Sequence, residues 1–322
     1  MTLEPFRGRS LITWLDYEAP EIRVLLDLSK QVKEESRAAA RGTAAMRPQR
    51  FAGKTIALLF EKRSTRTRCA FETAFGEEGG HPVFLSTQDI QLGAKESIED
   101  TARVLGRMFS AIQFRGFKQS TVETLARYSG VPVFNGLTDS YHPTQALADI
   151  MTLEESFGDS RGKRICFVGD GRNNVARSLM VICAKLGVNF TVICPPSLAP
   201  DPALLALCLP LARAAGAALE VTPDLAAVAG AEALYTDVWV SMGEEALREE
   251  RVALLRAYQV NEALMERTGR ADSIFLHCLP AVKGEEVSAA VIDGPRSRAW
   301  DEAENRKHTI KAIMLAAING EA

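Results

Sequence analysis

Apolar residues fall in short runs along the chain, and between these runs they recur at helical spacing. In the first half, four runs predict strands at residues 55–60, 83–85, 111–114 and 131–134. In the second half, further runs predict strands at residues 165–168, 189–193, 218–221, 234–236 and 274–276. Strands that alternate with helices are typical of parallel sheets covered on both faces. We therefore predict an α/β fold with parallel β-sheets flanked by helices.

The helical segments suggest two domains, which suits a chain of 322 residues. Helices are predicted at residues 19–39, 66–78, 143–157 and 303–319, and Ser97 with Asp100 forms a capping box at the start of another. Gly158 and Gly162 interrupt the helical pattern before a new strand begins. We place one domain at residues 1–157 and a second at 158–302. The last segment, 303–322, is expected to pack back on the first domain.

The composition excludes several classes of protein. The content of 47% hydrophobic and 25% charged residues is that of a globular chain, and its longest apolar stretches are too short to span a bilayer. The N-terminal residues lack the pattern of a signal peptide, and six scattered cysteines suit free thiols in a reducing compartment. We therefore expect a cytoplasmic protein. The net charge of −3 does not favour nucleic-acid binding, so any bound anion needs a local cluster of positive charge.

Polar residues follow the predicted strands, and the carboxyl ends of parallel strands are where such sheets bind ligands. The residues concerned are Ser64–Arg68, Arg115, His142–Gln145, Asp170, Asn173, Asn174, Asp237, Ser241–Gly243 and His277–Pro280. They come from both halves of the chain. We therefore predict one active site in a cleft between the two domains.

The segment from Ser64 to Arg68 is the most informative of these. Its hydroxyl residues suit a helix N-cap, where free backbone N–H groups and the helix dipole favour an anion. Arg66 and Arg68 oppose that dipole, and a bound phosphate would remove the conflict. An ordinary cap with solvated arginines is an equally good interpretation of this segment alone. Arg115 follows an apolar strand, and a surface ion pair is the simpler explanation for it.

His142 stands before Pro143 at a predicted helix start. A neutral imidazole there can polarise a carbonyl group, and Gln145 beside it offers a donor and an acceptor. A histidine that caps its own helix is the alternative.

The remaining candidates are weaker when each is considered alone. The turn from Gly169 to Asn174 lacks the full spacing of a dinucleotide motif. Asp237 and Ser241 also fit a structural strand end, and Cys278 also fits a buried inert thiol. Arg306 and Lys307 also fit a solvated helix face.

Taken together, these segments resemble the aspartate/ornithine carbamoyltransferase family, and within it the ornithine branch. The matching segments, in the order of the family, are residues 60–68 (Phe-Glu-Lys-Arg-Ser-Thr-Arg-Thr-Arg), 91–97 (Gln-Leu-Gly-Ala-Lys-Glu-Ser), 142–145 (His-Pro-Thr-Gln), 237–243 (Asp-Val-Trp-Val-Ser-Met-Gly), 277–280 (His-Cys-Leu-Pro) and 304–306 (Glu-Asn-Arg). They cover nearly the whole chain. The resemblance implies transfer of the carbamoyl group from carbamoyl phosphate to the side-chain amine of ornithine, which gives citrulline and phosphate in arginine metabolism.

The resemblance also implies roles for individual residues. Carbamoyl phosphate would be bound by Ser64, Thr65, Arg66, Thr67, Gln91, Arg115, His142, Gln145, Cys278, Leu279 and Arg306. Ornithine would be bound by Asn174, Asp237, Ser241 and Met242. The catalytic residues would be Arg66, Arg115, His142, Gln145 and Cys278. Gln91 and Lys95 would reach the site of a neighbouring subunit in a homotrimer.

The implied chemistry needs aligned reactants and stabilised charge on the oxyanion and the phosphate, so we expect no metal and no cofactor. We hypothesise that Cys278, near Asp237, orients or deprotonates the attacking amine. Ala94 departs from the family pattern, because ornithine enzymes commonly carry histidine there.

Four questions stay open at this point. Aspartate, putrescine or an acylated ornithine is a competing acceptor, although the Ser-Met-Gly segment favours ornithine. A non-catalytic nucleotide-binding protein that uses the 169–174 turn is a competing class. The sequence does not distinguish synthesis from breakdown of citrulline, or a trimer from a larger assembly.

Overall fold

The computed structural model describes residues 2–43, 48–86, 96–240 and 243–320. The chain forms two compact units. The first unit contains Met1–Ala148 and Glu304–Ala322, and the second contains Asp149–Ala303. The chain leaves the first unit inside the helix Pro143–Phe157 and returns to it inside the helix Ala299–Asn319. The domain boundaries predicted after residues 157 and 302 stay predictions, as does the cleft predicted between the domains.

The first unit contains, within its described residues, a four-stranded parallel sheet in the order β2-β1-β3-β4. The strands are β1 (Thr55–Phe60), β2 (His81–Ser86), β3 (Ala111–Arg115) and β4 (Val133–Leu137). The helices that begin in this unit are α1 (Ala19–Ala40), α2 (Thr65–Gly76), α3 (Ile98–Met108), α4 (Gln119–Ser129) and α5 (Pro143–Phe157). Ser97 caps α3 as predicted, since its Oγ accepts a hydrogen bond from the N–H of Asp100 at 3.1 Å.

The second unit contains a five-stranded parallel sheet among its described residues, in the order β7-β6-β5-β8-β9. Its strands are β5 (Arg164–Val168), β6 (Asn189–Ile193), β7 (Leu219–Thr222), β8 (Ala233–Tyr235) and β9 (Ile274–Leu276). Its helices are α6 (Asn174–Leu186), α7 (Pro202–Ala215), α8 (Arg248–Leu255), α9 (Glu262–Arg267), α10 (Ala289–Ile292) and the start of α11 (Ala299–Asn319). The predicted α/β class with two parallel sheets is confirmed.

The cores explain why the strands read as continuous apolar runs. In β1, every residue from Ile56 to Phe60 is buried, because helices cover both faces of a parallel sheet. β4 extends further than the apolar run predicts, since the buried Asn135 donates from Nδ2 to the carbonyl oxygen of Ile12 at 3.0 Å. A polar side chain can therefore continue a buried strand when it has a backbone partner.

The C-terminal helix α11 contacts residues of the first unit. Lys311 Nζ lies 3.0 Å from Glu77 Oε2 and 3.2 Å from Glu78 Oε1, and Lys33 Nζ donates to Asn305 Oδ1 at 2.6 Å. α11 begins at Ala299, four residues before the predicted start. Among the described residues, no helix is both long enough and apolar enough to cross a membrane.

Candidate active site

The N-terminus of α2 is organised as the sequence predicts. Ser64 is the N-cap, and its Oγ accepts a hydrogen bond from the N–H of Thr67 at 3.2 Å. The first turn contains no acidic residue, so its positive end is not neutralised from within the helix. Thr65 is exposed and Arg66 is half-buried, whereas Thr67 is fully buried.

Two arginines from distant parts of the chain meet at Thr67. Arg115 at the end of β3 donates from Nη1 to Thr67 Oγ1 at 3.1 Å. Arg306 on α11 donates from Nη2 to the same oxygen at 3.0 Å. Both arginines are buried, with 8% and 2% of their surface exposed, so neither is a solvated surface charge. Two buried guanidinium groups beside a helix N-terminus strongly favour the binding of an anion.

Arg68 behaves differently from these two. It is exposed, pairs with Glu72 at 2.9 Å one turn along α2, and lies over the Phe84 ring at 3.8 Å. The alternative of a solvated helix arginine therefore describes Arg68, but it does not describe Arg115 or Arg306.

His142 is fully enclosed beside this cationic group. Burial lowers the pKa of its imidazole well below the usual 6.5, and Arg306, Arg115 and Arg66 lower it further. The ring is therefore neutral at physiological pH and carries one N–H donor. A neutral imidazole is one of two interpretations of His142 from its sequence position, and burial and three arginines are the causes of its neutrality in the structure. Gln145, one turn into α5, is also fully buried.

The second unit places acidic and amide groups together at the ends of its strands. Asp237 follows β8, and Cys278 follows β9. The Cys278 thiol donates to Asp237 Oδ1 at 3.0 Å, and Asn173 Nδ2 donates to Asp237 Oδ2 at 2.8 Å. Both oxygens of this carboxylate are therefore oriented by neighbouring side chains.

Cys278 is a protonated thiol in this environment. Burial raises its pKa well above the usual 9.0, and the charge and hydrogen-bond acceptance of Asp237 raise it further. A thiolate here would be buried beside a carboxylate, which is unfavourable. Of the two roles hypothesised for Cys278, this environment favours orientation of Asp237 over proton abstraction by a resting thiolate.

The residue after Cys278 is held by a histidine. Leu279 has a left-handed backbone with φ 58°, and its N–H donates to His277 Nδ1 at 2.8 Å. His277 Nδ1 is therefore an acceptor, so its proton lies on Nε2, which is 3.3 Å from Glu286 Oε1. These contacts fix the backbone and the imidazole of this segment relative to each other.

A cluster of potential metal ligands is formed by Asp237, His277 and Cys278, since one donor atom from each lies within 4.8 Å of the others. Their hydrogen bonding does not suit a resident ion. Both His277 nitrogens lie within hydrogen-bond distance of protein groups, and the Cys278 thiol donates to Asp237. A metal would need to displace these contacts.

Asn173 is one of the polar residues that follow β5, but the resemblance gives it no role. In the structure it contacts Asp237, and its Oδ1 also accepts from the N–H of Val175 as the N-cap of α6. The role expected for Asn174, the first residue of α6, stays a prediction. Sequence reasoning missed Glu302, which accepts from Tyr235 Oη at 3.1 Å and from the N–H of His277 at 3.0 Å. Burial raises the pKa of Glu302.

Gln91, Ala94 and Lys95 lie outside the described residues, and so do Ser241 and Met242. The contacts expected for them stay predictions.

Two family models match successive parts of the chain. Residues 9–155 match the family model described as aspartate/ornithine carbamoyltransferase, carbamoyl-P binding domain. Residues 161–317 match the model described as aspartate/ornithine carbamoyltransferase, Asp/Orn binding domain. Together these two models cover most of the chain.

Individual relatives are similar over almost their full length. An ornithine carbamoyltransferase of Pseudothermotoga lettingae is 64% identical over 312 residues, which covers 97% of this chain and 98% of that protein. One from Caldanaerobacter subterraneus subsp. tengcongensis is 63% identical over 313 residues, with coverage of 97% and 98%. The solved ornithine carbamoyltransferase of Pyrococcus furiosus superposes with a TM-score of 0.92 at 44% identity and covers 99% of both chains.

Proposed function

Because the chain belongs to the aspartate/ornithine carbamoyltransferase family, we propose that it transfers the carbamoyl group of carbamoyl phosphate to the side-chain amine of L-ornithine. The products are L-citrulline and phosphate, and the reaction belongs to arginine metabolism. Two buried arginines on one threonine hydroxyl, at the start of α2, support this function most strongly. They offer a built site for a phosphorylated substrate.

In this proposal, the first unit binds carbamoyl phosphate. The phosphate is held by hydroxyl, backbone and guanidinium groups of Ser64, Thr65, Arg66, Thr67 and Arg306. The positive end of the α2 dipole and the adjacent guanidinium groups both favour the anion. As phosphate leaves, the same groups stabilise the charge that develops on it.

The carbamoyl end faces donors of a different kind. Arg115, His142 and Gln145 hold its carbonyl oxygen and stabilise the oxyanion that forms when the amine attacks. A neutral His142 suits this role because it can donate a hydrogen bond without adding a charge that must be desolvated. The backbone carbonyl groups of Cys278 and Leu279 accept hydrogen bonds from the carbamoyl amide.

Ornithine binds to the second unit through Asn174, Asp237, Ser241 and Met242. Asp237 supplies the negative charge that a cationic amino acid needs. The amine of ornithine must lose a proton before it attacks, since a lysine-like amine has a pKa of about 10.4. Cys278 orients Asp237 for this substrate through its hydrogen bond. A Cys278→Ser enzyme with an unchanged rate and pH profile would exclude this role.

We further propose that the enzyme is a cytoplasmic homotrimer in which Gln91 and Lys95 reach the site of a neighbouring subunit. The charge-stabilising groups above suffice for the chemistry, so the mechanism assigns no metal and no cofactor. Light scattering of the purified protein tests the trimer, because a mass of one or two chains would contradict it. Complementation between inactive Lys95→Met and Arg115→Gln chains tests the shared site.

The acceptor specificity is tested by carbamoylation of ornithine, putrescine, N-acetylornithine and aspartate in parallel, with carbamoyl phosphate as donor. Strong preference for ornithine supports the proposal. Activity with another acceptor alone would retain the phosphate site and overturn the roles of Asp237 and the 241–243 segment. Binding of NAD or ATP without any turnover would support a nucleotide-binding protein instead.

A further inference from the structure

Three loops of the first unit each carry or adjoin a residue of the anion group. Residues 61–64 follow β1 and end at Ser64, the cap of α2. Residues 116–118 follow Arg115, the last residue of β3. Residues 138–142 follow β4 and end at His142. The separation of these three residues therefore depends on how the loops are held relative to one another.

The backbones of the loops are hydrogen-bonded in series. The N–H of Glu61 donates to the carbonyl of Arg115 at 2.8 Å, and the N–H of Gly116 donates to the carbonyl of Leu137 at 3.0 Å. The N–H of Asp139 donates to the carbonyl of Phe117 at 2.8 Å. These bonds extend the parallel sheet pattern past the ends of the strands.

Glu61 adds a side-chain contact to the middle loop. Its Oε2 accepts from the N–H of Phe117 at 3.0 Å. A Cβ atom at Gly116 would lie 2.2 Å from this oxygen and 2.2 Å from Phe114 Cζ, so only glycine permits the close approach. The first and second loops are thus packed tightly through a charged hydrogen-bond acceptor.

Lys62 joins the outer two loops. Its Nζ lies 2.5 Å from Asp139 Oδ1 and 4.2 Å from the centre of the Phe117 ring, and only 7% of the residue is exposed. Burying a lysine is unfavourable unless it is paired, and here the partners are a carboxylate and an aromatic face. The Asp139 side chain is 57% exposed, so the pair contributes little as a surface salt bridge.

We propose that Lys62 and Asp139 are positioning residues for the anion group. Together with Glu61 and Phe117 they form the loop network, which fixes Ser64, Arg115 and His142 at the separation that a phosphorylated substrate requires. The inference rests on the proposed function, because it assigns the network to that same substrate site. It predicts that Lys62 acts through its bond to Asp139, and not simply as another positive charge near the anion.

The replacement Asp139→Ala separates these two roles because their effects have opposite signs. If Lys62 acts only by its charge, removal of a nearby carboxylate leaves phosphate binding unchanged or tighter. If the pair positions the loops, the same variant binds phosphate more weakly, by roughly tenfold, since small displacements of a preorganised site cost about that much or more.

The experiment is calorimetric binding of inorganic phosphate to the full chain, with KM for carbamoyl phosphate and kcat measured alongside. Asp139→Ala and Lys62→Met should both weaken phosphate binding and raise KM for carbamoyl phosphate, while KM for ornithine changes little. Lys62→Arg should restore most of the affinity. The double variant should bind no more weakly than Lys62→Met alone, because coupled partners are not additive.

Asp293→Ala is the matched control, because Asp293 is a similarly exposed carboxylate that pairs with Lys283 at 2.6 Å in the second unit. It makes the same change in net charge and should leave phosphate binding unaltered. Unchanged or tighter phosphate binding by Asp139→Ala, in a wild-type background that makes citrulline, overturns the inference. A wild-type chain that binds phosphate but makes no citrulline overturns the proposed function instead, while one that binds no phosphate overturns both.

Discussion

The two units place opposite charges at the same kind of position, the carboxyl ends of parallel strands. In the first unit, Arg115 and Arg306 converge on Thr67 beside a buried histidine. In the second unit, Asp237 and the buried Glu302 lie near a half-buried thiol, Cys278. One group is suited to an anion and the other to an ammonium group.

His142 in the first unit and Cys278 in the second unit are both uncharged, but for opposite reasons. Burial and three arginines lower the pKa of His142, whereas burial and Asp237 raise the pKa of Cys278. Each group therefore keeps a hydrogen to donate while the charge is carried by its neighbours. The strand ends place a hydrogen-bond donor in each unit. The sign of the charge around that donor determines which kind of substrate group the site suits.

Removal of a cation from the first unit should have the largest effect. Arg115→Gln should lower kcat/KM for carbamoyl phosphate by roughly a hundred- to a thousandfold, as loss of one oxyanion donor does elsewhere. KM for ornithine should change little. Arg37→Gln, an exposed position on α1, is the control. A loss smaller than tenfold would show that Arg115 is not a principal donor.

Removal of the acid from the second unit should produce the complementary pattern. Asp237→Asn should lower kcat/KM for ornithine by about 10- to 100-fold, because a charge-assisted hydrogen bond is lost, and phosphate binding should be retained. The pKa of Cys278 should also fall, since Asp237 is its main cause of elevation after burial. Alkylation of Cys278 followed against pH measures this fall. An unchanged alkylation profile would contradict the assignment.

Asn173 allows a finer test of how Asp237 is oriented. Asn173→Ser keeps a side chain that can cap α6 but shortens it, so that the contact with Asp237 is lost. We expect KM for ornithine to rise by roughly five- to tenfold at an almost unchanged melting temperature. Asn173→Ala should show the same rise in KM together with a lower melting temperature. Equal KM values for Asn173→Ser and the wild type would remove Asn173 from the site.

The smallest expected effect concerns His142, which should not titrate near neutral pH. The folded pKa of His142 lies below the unfolded value near 6.5, so its neutral state contributes stability above that pH and loses it as the pH falls. Between pH 8 and 6, His142 should therefore stay neutral and cause no change in rate. Ring chemical shifts from NMR, assigned with His142→Gln, measure this directly. A midpoint between pH 6 and 7 would contradict the account of its surroundings.

Much of the fold follows from local patterns in the chain. Parallel strands buried on both faces read as continuous apolar runs, and β1, β6 and β9 lie at the predicted residues. β4 extends past its apolar run because Asn135 finds its partner near the N-terminus, at a distance in sequence that no local pattern reports. Ser64 and Ser97 cap their helices as predicted, because capping needs only residues three positions apart.

The candidate site divides in the same way. The chain by itself determined which polar residues follow which strands, because strand ends and cap residues are local features. Long-range contacts needed the folded structure: Arg306 donates to Thr67 across 239 positions, Asn173 donates to Asp237, and Cys278 keeps its proton beside that carboxylate. Hydrogen bonds between distant residues and the pKa shift of a buried group depend on which groups folding brings beside them, and neither is present in the extended chain.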